Sequence, residues 1–434
     1  MNNPTPRDLH NQVTKTHGNK FCAAPWNSLH EGPDGLVSTC CKTREPIGWS
    51  HKQTFEEMYN SEHIKTVRSQ FLKGEQPAQC IECWRQEESG NPSSNRVMSN
   101  SSGFQTIDEL VRATDSDGTL NKHMPEWLDL LWTNKCNFAC LGCSPEISST
   151  INNKHKKSFA ILNGVDIDHY HKESINWNNA NKNKIDYIIK YSDTIKTIHL
   201  NGGEPFMQEG VYELLEEMIK RNLHKKIRVW SHTNGSIIKG YKGIDLISDY
   251  LVHWGDNAKI TLSNDGFGIR GEYIRYGYNE SKWLQVFDKI VNSNIRLNVQ
   301  TCINVMNASV IGEVGERLYE LGNRKKVDGS VTMWMNPTLN TRMLNIVPEL
   351  KQQVLTNMYN AANSKNLLPN WHKTLNNAIE WTKNNEIIPD WKTRALYRGI
   401  NELDRTRNTN FCNVFPELTI LYNKLKDKHN AESY

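Results

Sequence analysis

The sequence lacks any long apolar run. Nowhere do about 18 apolar residues follow one another, as a membrane-spanning helix requires. The first residues, MNNPTPRDLHNQ, also lack the apolar segment of a secretory signal peptide. The sequence therefore predicts neither export nor a membrane partner, and a cytoplasmic location follows as the default.

The sequence also has little excess of charge of either sign. Its 52 Lys and Arg against 48 Asp and Glu give a formal net charge of +4. This balance gives no electrostatic case for a nucleic-acid partner or an anionic membrane surface. With 37% hydrophobic residues, the chain of 434 residues can bury a core and should divide into about two or three domains.

Cysteine is what the sequence does have, and its ten cysteines are unevenly placed. In a reducing compartment such residues are more often metal ligands or catalytic groups than disulfide partners. Two stand alone, Cys302 and Cys412. The others form two groups: Cys22, Cys40, Cys41, Cys80 and Cys83, then Cys136, Cys140 and Cys143. This distribution indicates two sites.

Short apolar runs alternate with segments of helical periodicity from residue 126 onward, which favours a parallel sheet or barrel in residues 124–337. We expect residues 1–20 to be disordered, 21–105 to be a cysteine-rich domain with a linker at 89–103, and 338–434 to be helical. Residues 151–184 resemble a surface insertion. The predicted strands are 127–134, 194–201, 226–234, 258–265, 295–304 and 331–336, and the clearest predicted helices are 211–222, 283–294, 347–365 and 374–385.

Successive side chains of a strand point to opposite faces, and in the predicted strands this alternation gives one apolar face and one polar face. In four of the predicted strands one face is apolar, whereas the other carries residues such as His199, His232, Thr261 and Gln300. Polar residues that merely end a strand would explain one or two such strands, but they explain four less easily. A barrel whose lumen holds a polar ligand at the carboxyl ends of its strands accounts for all of them.

The segment 134-NKCNFACLGCSP-145 has the spacing C-x3-C-x2-C. Three thiolates can hold a [4Fe–4S] cluster and leave one iron open to another ligand. A zinc site needs a fourth ligand, and the nearest histidine, His155, would have to fold back. The spacing therefore favours a cluster over zinc.

This segment, followed by 200-LNGGEP-205, resembles the radical S-adenosylmethionine (radical SAM) superfamily. The resemblance implies a partial (β/α)6 barrel of the TIM type and a [4Fe–4S] cluster on Cys136, Cys140 and Cys143 that chelates SAM. It also implies that Gly202, Gly203, Glu204 and Pro205 contact the methionyl end of SAM. Glycine permits close backbone approach there, and a glutamate can bind an ammonium group.

The stretch 261-TLSNDGFGIRGEYIRYG-277 is similar to the fourth-strand motif of radical SAM proteins with a SPASM or twitch extension. The similarity implies that Ser263 and Asp265 lie near the ribose or methionine of SAM, with Arg275 near its carboxylate. Asn304, at the end of the next strand, is counted with these SAM-binding residues. The chain as a whole resembles the twitch domain-containing radical SAM proteins, many of them found in phage genomes.

The N-terminal cysteines match the opening of the SPASM/twitch pattern, C-x(9–15)-G-x4-C, from Cys22 through Gly35 to Cys40. The resemblance implies a second, auxiliary [4Fe–4S] cluster on Cys22, Cys40, Cys80 and Cys83, and it leaves Cys41 spare. By geometry alone, four thiolates with a C-x2-C pair fit a structural zinc site equally well.

The implied reaction is reductive cleavage of SAM to a 5′-deoxyadenosyl radical that abstracts hydrogen from a C–H bond. The expected substrate is a peptide or protein side chain, or else a small molecule, and the expected reductant is an external flavodoxin or ferredoxin. Cys302 is a candidate catalytic hydrogen donor, or else a small buried hydrophobe. The alternative function is a non-enzymatic, zinc-stabilised protein that binds protein or nucleic acid.

Overall fold

The computed structural model describes residues 4–43, 45–88, 93–103, 105–121, 124–170, 175–322, 327–333 and 336–430. The chain forms two compact units. The first comprises Met1–Thr133, Glu173–Gly202 and Glu209–Trp230, and the second comprises Asn134–Lys172, Gly203–Gln208 and Ser231–Tyr434.

The strands of the described chain are short. In chain order they are β1 (Ser28–Glu31), β2 (Leu36–Ser38), β3 (Gly48–Trp49), β4 (Trp127–Leu131), β5 (Ala139–Cys140), β6 (Thr197–Asn201), β7 (Arg228–Thr233), β8 (Ala258–Ser263), β9 (Arg275–Tyr276), β10 (Arg296–Ile303) and β11 (Val327–Met333).

The α-helices lie between and after these strands. They are α1 (Pro6–His17), α2 (Ala24–Asn27), α3 (Phe55–Tyr59), α4 (Glu62–Leu72), α5 (Ile81–Glu87), α6 (Ser94–Ser102), α7 (Ile107–Arg112), α8 (Lys156–Asn163), α9 (Trp177–Lys190), α10 (Glu209–Lys220), α11 (Gly268–Ile274), α12 (Glu280–Val291), α13 (Ile311–Gly322), α14 (Pro348–Ala362), α15 (Trp371–Lys383), α16 (Asp390–Arg407), α17 (Phe411–Val414) and α18 (Thr419–Asn430).

In the first unit a parallel set of strands is extended by an antiparallel hairpin. β4 pairs in parallel with β6 on one side and with β1 on the other. β1 pairs antiparallel with β2, and β2 with β3. The register places Asp129 beside both His30 and His199, so these three side chains share one face of the sheet.

In the second unit β10 lies between β8 and β11, and all three strands are parallel. Parallel neighbours require crossover connections, which α11 and α12 provide before β10 and α13 provides before β11. A separate antiparallel ribbon joins β5 to β9 and pairs Cys140 with Arg275.

The predicted α/β class, with parallel strands that alternate with helices, is confirmed, as is the helical C-terminal region, where α14 to α18 follow one another. Residues 431–434 of that region lie outside the described residues. The last predicted strand, 331–336, begins earlier in the structure, at Val327, and its residues 334–335 are not among those described. Within the described residues, no helix combines the length and apolarity needed to cross a bilayer.

The prediction that residues 1–20 are disordered is wrong where the structure describes them, because α1 occupies Pro6–His17, and residues 1–3 lie outside the described residues. The helix begins with a capping box, in which the Thr5 hydroxyl accepts from the Asp8 amide and the Asp8 carboxylate accepts from the Thr5 amide. Its Val13 is buried. The sequence predicted disorder because this segment is polar and has few apolar residues. A helix with one buried face nevertheless forms there.

The predicted linker at 89–103 is also wrong where the structure describes it, because α6 fills Ser94–Ser102. Residues 89–92 lie outside the described residues. The helix buries polar rather than apolar side chains, among them Arg96 and Asn100. Hydrophobic periodicity therefore gave no signal for it.

Residues 151–184 are not a surface insertion. In the second unit, α8 buries Phe159 and Leu162. In the first unit, α9 buries Lys184, whose Nζ lies 2.8 Å from Oε2 of Glu31 and donates to the carbonyl of Leu131 at 2.6 Å. Residues 171–174 of the predicted insertion lie outside the described residues.

Candidate functional site

The three cysteines of the C-x3-C-x2-C segment lie together in the second unit. Cys140 is held by the pairing of β5 with β9, and the amide of Cys143 donates to the carbonyl of Cys140 at 3.0 Å. Ser149 anchors Cys136, whose amide donates to the Ser149 hydroxyl at 3.1 Å. These backbone contacts therefore bring the three cysteines together.

Burial and the contacts of these thiols with one another and with Arg275 shift the pKa values of all four groups. Burial raises the pKa of Cys136 to about 12. The Cys143 thiol donates a hydrogen bond to the Cys140 sulfur, which lowers the pKa of Cys140 and raises that of Cys143. Burial opposes the charge on Arg275, but Cys140 and Asp265 outweigh it and raise the pKa of Arg275. Because thiols must lose protons to bind metal, a nearby fixed cation favours the bound form.

Arg407, the last residue of α16, fastens the β5–β9 ribbon. Its guanidinium donates to the carbonyl of Ala139 at 3.0 Å and to the carbonyl of Tyr273 at 3.0 Å. It also lies over the ring of Tyr276, 4.6 Å from the ring centre. Sequence analysis missed this residue, because nothing local in the C-terminal tail points to a contact more than 250 residues away.

Glu204, predicted to contact the methionyl end of SAM, has three hydrogen-bond donors within the protein. Its carboxylate accepts from the amide of Phe206 at 3.1 Å, the hydroxyl of Thr233 at 2.8 Å and the amide of Asn234 at 2.7 Å. The residue is 1% exposed. Burial raises the pKa of Glu204 to about 6. In this structure Glu204 joins the GGEP turn to the end of β7.

The glycines of the GGEP turn are needed for two reasons. A Cβ on Gly203 would lie 2.5 Å from the carbonyl oxygen of Lys135 and 2.7 Å from that of Asn134, which are backbone atoms just before Cys136. Gly202 has φ +142°, a conformation that favours glycine. Pro205 begins a buried helical turn after them. In this structure Gly203 allows close approach to the cysteine segment, and the contact of these glycines with SAM stays a prediction.

Asp265 connects the predicted SAM-binding residues of the second unit. One oxygen accepts from Nη1 of Arg275 at 2.8 Å, and the other accepts from the amide of Cys302 at 2.7 Å. Asp265 is fully buried. Ser263 is half-buried at the end of β8, and its carbonyl accepts from the indole of Trp283 at 3.0 Å.

Asn304 is fully buried and its amide is used within a turn. Its Nδ2 donates to the carbonyl of Cys302 at 3.2 Å, and its Oδ1 accepts from the amide of Met306 at 2.9 Å. Asn307, which sequence analysis did not single out, donates to the carbonyls of Asp265 and Cys302, both at 3.0 Å. These asparagines shape the chain that carries Asp265 and Cys302.

Cys302 lies on the polar face predicted from strand parity. Its sulfur is 3.2 Å from the hydroxyl of Thr332 on β11 and accepts from Nε2 of Gln300 at 3.9 Å. The Gln300 oxygen lies 3.3 Å from Nε2 of His232. Burial raises the pKa of Cys302 to about 11, so the thiol keeps its proton at neutral pH.

The N-terminal cysteines form a second site in the first unit. A single pocket there is lined by the four predicted ligands, Cys22, Cys40, Cys80 and Cys83. Burial raises the pKa of Cys22 to about 12 and of Cys40 to about 11. Cys41 is exposed and does not line this pocket.

Two residues of α6 hold the Cys22 segment. Asn100 binds the backbone on both sides of Cys22. Its Nδ2 donates to the carbonyl of Phe21 at 3.2 Å, and its Oδ1 accepts from the amide of Ala23 at 2.8 Å. Arg96 donates to the carbonyl of Phe21 at 3.3 Å and binds Glu87 at 2.8 Å. Sequence analysis missed both residues because it placed them in a linker.

The donor sets of the two sites consist of thiols. Cys22, Cys40, Cys80 and Cys83 line one pocket of the first unit, and the C-x3-C-x2-C cysteines lie together in the second unit. Thiolates are the ligands that hold iron–sulfur clusters, so both donor sets fit such a cluster.

Comparison with family models agrees with this fit. A model described as an iron–sulfur cluster-binding domain, SPASM, matches residues 22–84. Residues 22–84 are therefore similar to SPASM domains. A second model, described as a 4Fe-4S single cluster domain, matches residues 128–252 and so includes the C-x3-C-x2-C segment. The predicted resemblance to SPASM and twitch radical SAM proteins is confirmed, and both cysteine groups lie in iron–sulfur segments rather than zinc sites. Nothing in these matches bears on a phage origin.

Solved structures give distant likenesses. One is native anSMEcpe with bound AdoMet, which is 15% identical to this chain with a TM-score of 0.33. The match covers 56% of this chain and 62% of the anSMEcpe chain. Streptococcus suis SuiB bound to S-adenosylmethionine is 14% identical with a TM-score of 0.37 and covers 70% of this chain. The chain thus spans 62% of the length of each of these proteins. A search of curated proteins gave no match.

Proposed function

We propose that the chain is a radical SAM enzyme that reductively cleaves S-adenosylmethionine and modifies a C–H bond of a peptide or protein side chain. The observation that carries the proposal is in the second unit. There, Cys140 pairs with Arg275, and Arg275 binds Asp265. One short chain of contacts therefore joins the cysteine segment to two residues of the fourth-strand motif.

In this proposal Cys136, Cys140 and Cys143 hold one [4Fe–4S] cluster, and Cys22, Cys40, Cys80 and Cys83 hold the other. When bound at the three-cysteine cluster, SAM would accept one electron from the reduced cluster, which would break its C–S bond to give methionine and a 5′-deoxyadenosyl radical able to abstract a hydrogen atom. The chain's own residues bind, orient and shield the reactants.

The SAM-binding residues divide into contact and positioning roles. Arg275 is the cation for the SAM carboxylate, and Asp265 fixes its guanidinium. Gly202 and Gly203 offer backbone groups, and Ser263 offers a hydroxyl at the end of β8. The buried residues Glu204, Pro205 and Asn304 position the turns that carry these groups, since their polar atoms are already used or enclosed.

Cys302 is proposed as the catalytic hydrogen donor. Its thiol would transfer a hydrogen atom to the substrate radical, so that an S–H bond breaks, a C–H bond forms and a thiyl radical remains. One electron from the auxiliary cluster and one proton from solvent would restore the thiol. Delivery to the opposite face of the carbon would give net epimerisation.

The proposed setting is the cytoplasm, with an external flavodoxin or ferredoxin as the one-electron reductant. The peptide substrate follows from the resemblance to SPASM and twitch proteins, and a small molecule is the alternative substrate.

The test is an anaerobic assay for 5′-deoxyadenosine with SAM and dithionite, together with iron analysis. Wild-type protein should be brown, contain about eight irons per chain and form 5′-deoxyadenosine. The triple variant Cys136→Ala, Cys140→Ala, Cys143→Ala should lose half the iron and all cleavage. The quadruple variant of Cys22, Cys40, Cys80 and Cys83 should lose the other half yet retain some cleavage. Colourless wild-type protein that contains zinc would overturn the proposal.

A further inference from the structure

Ser93 directly precedes α6 and contacts one of the four cysteines of the first unit. Its hydroxyl donates a hydrogen bond to the sulfur of Cys83 at 3.2 Å. Ser93 is 2% exposed and Cys83 is 8% exposed, so this bond is shielded from water. The hydroxyl therefore belongs to the immediate surroundings of the proposed auxiliary cluster.

Ser93 does not use this hydroxyl to cap α6, although it occupies the N-cap position of that helix. Serine at an N-cap commonly accepts a hydrogen bond from an amide of the first helical turn. Among the described residues, no such bond joins the Ser93 side chain to α6. The hydroxyl is thus directed to Cys83 rather than to its own helix.

Glu87 fixes the place of Ser93. Its Oε1 accepts from the amide of Ser93 at 2.9 Å and from Nε of Arg96 at 2.8 Å. Glu87 is also the last residue of α5, the helix that carries Cys83. Because Arg96 and Glu87 balance each other's charge, the hydroxyl of Ser93 acts on the sulfur as a neutral donor whose position is set by the backbone.

Other sulfurs of the pocket also have hydrogen-bond donors, and these are backbone amides. The amide of Ala24 donates to Cys22, and the amides of Lys42 and Thr43 donate to Cys40. A substitution leaves a backbone amide in place. The hydroxyl bound to the third sulfur is therefore the donor of this set that a single substitution can remove.

Donors to the sulfurs affect how readily an iron–sulfur cluster is reduced. Reduction adds one electron and so increases the negative charge that the sulfurs share. Burial makes this added charge costly, because few water molecules can solvate it. A hydrogen-bond donor stabilises the more negative, reduced state more than the oxidised state, and it therefore raises the reduction potential.

We propose that Ser93 sets the reduction potential of the auxiliary cluster, since its hydrogen bond to Cys83 makes the cluster easier to reduce. The inference rests on the proposed function, in which this cluster returns one electron to the Cys302 radical. A cluster that an external one-electron reductant can readily fill suits that task. Ser93 acts through the sulfur of Cys83 and is a positioning residue.

The test is an anaerobic redox titration followed by electron paramagnetic resonance (EPR). The parent is the full chain with Cys136→Ala, Cys140→Ala and Cys143→Ala, so that only the auxiliary cluster contributes. Adding Ser93→Ala should lower the equilibrium constant for one-electron reduction about threefold to tenfold. This is a shift of roughly 30–60 mV to more negative potential, at about 59 mV per tenfold. Ser93→Thr, which keeps a hydroxyl, should restore most of the parent potential.

Two further variants separate the hydrogen bond from packing. Ser93→Gly also lacks the hydroxyl and suits an N-cap, so it should give the same shift as Ser93→Ala. Ser102→Ala is the matched control, because Ser102 lies on the same helix, is exposed, and donates to the carbonyl of Ser99 at 3.0 Å. It should leave the potential of the parent unchanged. In deuterated water, pulsed EPR of the reduced parent should show an exchangeable proton coupled to the cluster that both hydroxyl-free variants lose.

The outcomes separate this inference from the proposed function. A parent without iron, or with zinc in its place, would contradict the proposed auxiliary cluster itself. Iron-containing Ser93→Ala and Ser93→Gly with the potential of the parent would overturn only the role of Ser93. Loss of the cluster in both variants would also overturn it, because Ser93 would then serve cluster binding rather than its potential. An equal shift in Ser102→Ala would have the same consequence.

Discussion

His30 and His199 contact opposite oxygens of one carboxylate, that of Asp129. Nδ1 of His30 lies 2.7 Å from Oδ2, and Nδ1 of His199 lies 2.9 Å from Oδ1. The three residues are in register on the parallel strands β1, β4 and β6, so they share a face. Burial alone would raise the pKa of Asp129, but the two imidazoles outweigh it and hold this pKa well below its ordinary value.

We predict that Asp129→Asn destabilises the protein by about 2–3 kcal/mol at pH 7. An aspartate whose folded-state pKa is depressed contributes stability above its unfolded pKa of about 3.9, and this contribution is lost as the pH falls through the folded-state value. The difference in free energy of unfolding between wild type and variant should therefore be largest above about pH 5 and shrink in acid. Anaerobic urea unfolding at several pH values measures it.

A matched control is Asp108→Asn. Asp108 also contacts a histidine, His17, but only one, and its side chain is 65% exposed. Its replacement should change the free energy of unfolding by no more than about 0.5 kcal/mol. A pH-independent loss of stability in Asp129→Asn would show that the carboxylate acts by shape rather than by charge.

Sequence alone predicted the parts that local spacing controls. The separations among Cys136, Cys140 and Cys143 suffice to indicate a cluster, and strand parity predicted that Gln300 and Cys302 share a face. Residues that act through long-range contacts left no such signal. Asn100 brackets Cys22 from a helix with little apolar periodicity, and Arg407 reaches the cysteine ribbon from the far end of the chain. Their partners are backbone carbonyls and amides, which carry no sequence pattern.

The direction of a side chain was likewise beyond the sequence. Glu204 was expected to bind the ammonium group of SAM, yet its carboxylate accepts from the Thr233 hydroxyl and the Asn234 amide. The contacts with Thr233 and Asn234 depend on how the end of β7 packs beside the turn, which no local spacing reveals, and the contact of Glu204 with SAM stays a prediction.

The auxiliary site makes a prediction about the Cys40–Cys41 pair. Cys40 lines the four-cysteine pocket, whereas Cys41 is exposed and its sulfur accepts from Nδ2 of Asn95 at 3.2 Å. We expect Cys40→Ser to lose about half of the iron, since one cluster loses a ligand, and Cys41→Ser to keep all of it. Iron analysis after anaerobic reconstitution compares the two variants directly. Half the iron in Cys41→Ser would mean that the neighbouring thiol is the ligand.

Arg407→Met should loosen the first cysteine site. The methionine keeps the buried volume but leaves the carbonyls of Ala139 and Tyr273 without their donor, at a cost of about 2–4 kcal/mol. Because Ala139 precedes Cys140 in the ribbon, we also expect the cluster to be lost faster under air, followed by its absorbance. Arg221→Ala is the control, since Arg221 is 54% exposed and pairs only with Glu217 among the described residues. Equal cluster lifetimes in wild type and Arg407→Met would contradict the role of Arg407.

The last prediction concerns Cys302, whose sulfur lies 3.2 Å from the Thr332 hydroxyl. A thiol that keeps its proton can return a hydrogen atom to a substrate radical, and in deuterated water the S–H exchanges to S–D. Turnover there should place one deuterium at the modified carbon, detected by mass spectrometry of the peptide. Cys302→Ala should still form 5′-deoxyadenosine but lose the product, whereas Cys412→Ala should behave as the wild type. Product formed by Cys302→Ala at the wild-type rate would mean that Cys302 has only a packing role. Electron transfer involving the auxiliary cluster would then be the better candidate for the last step of the reaction.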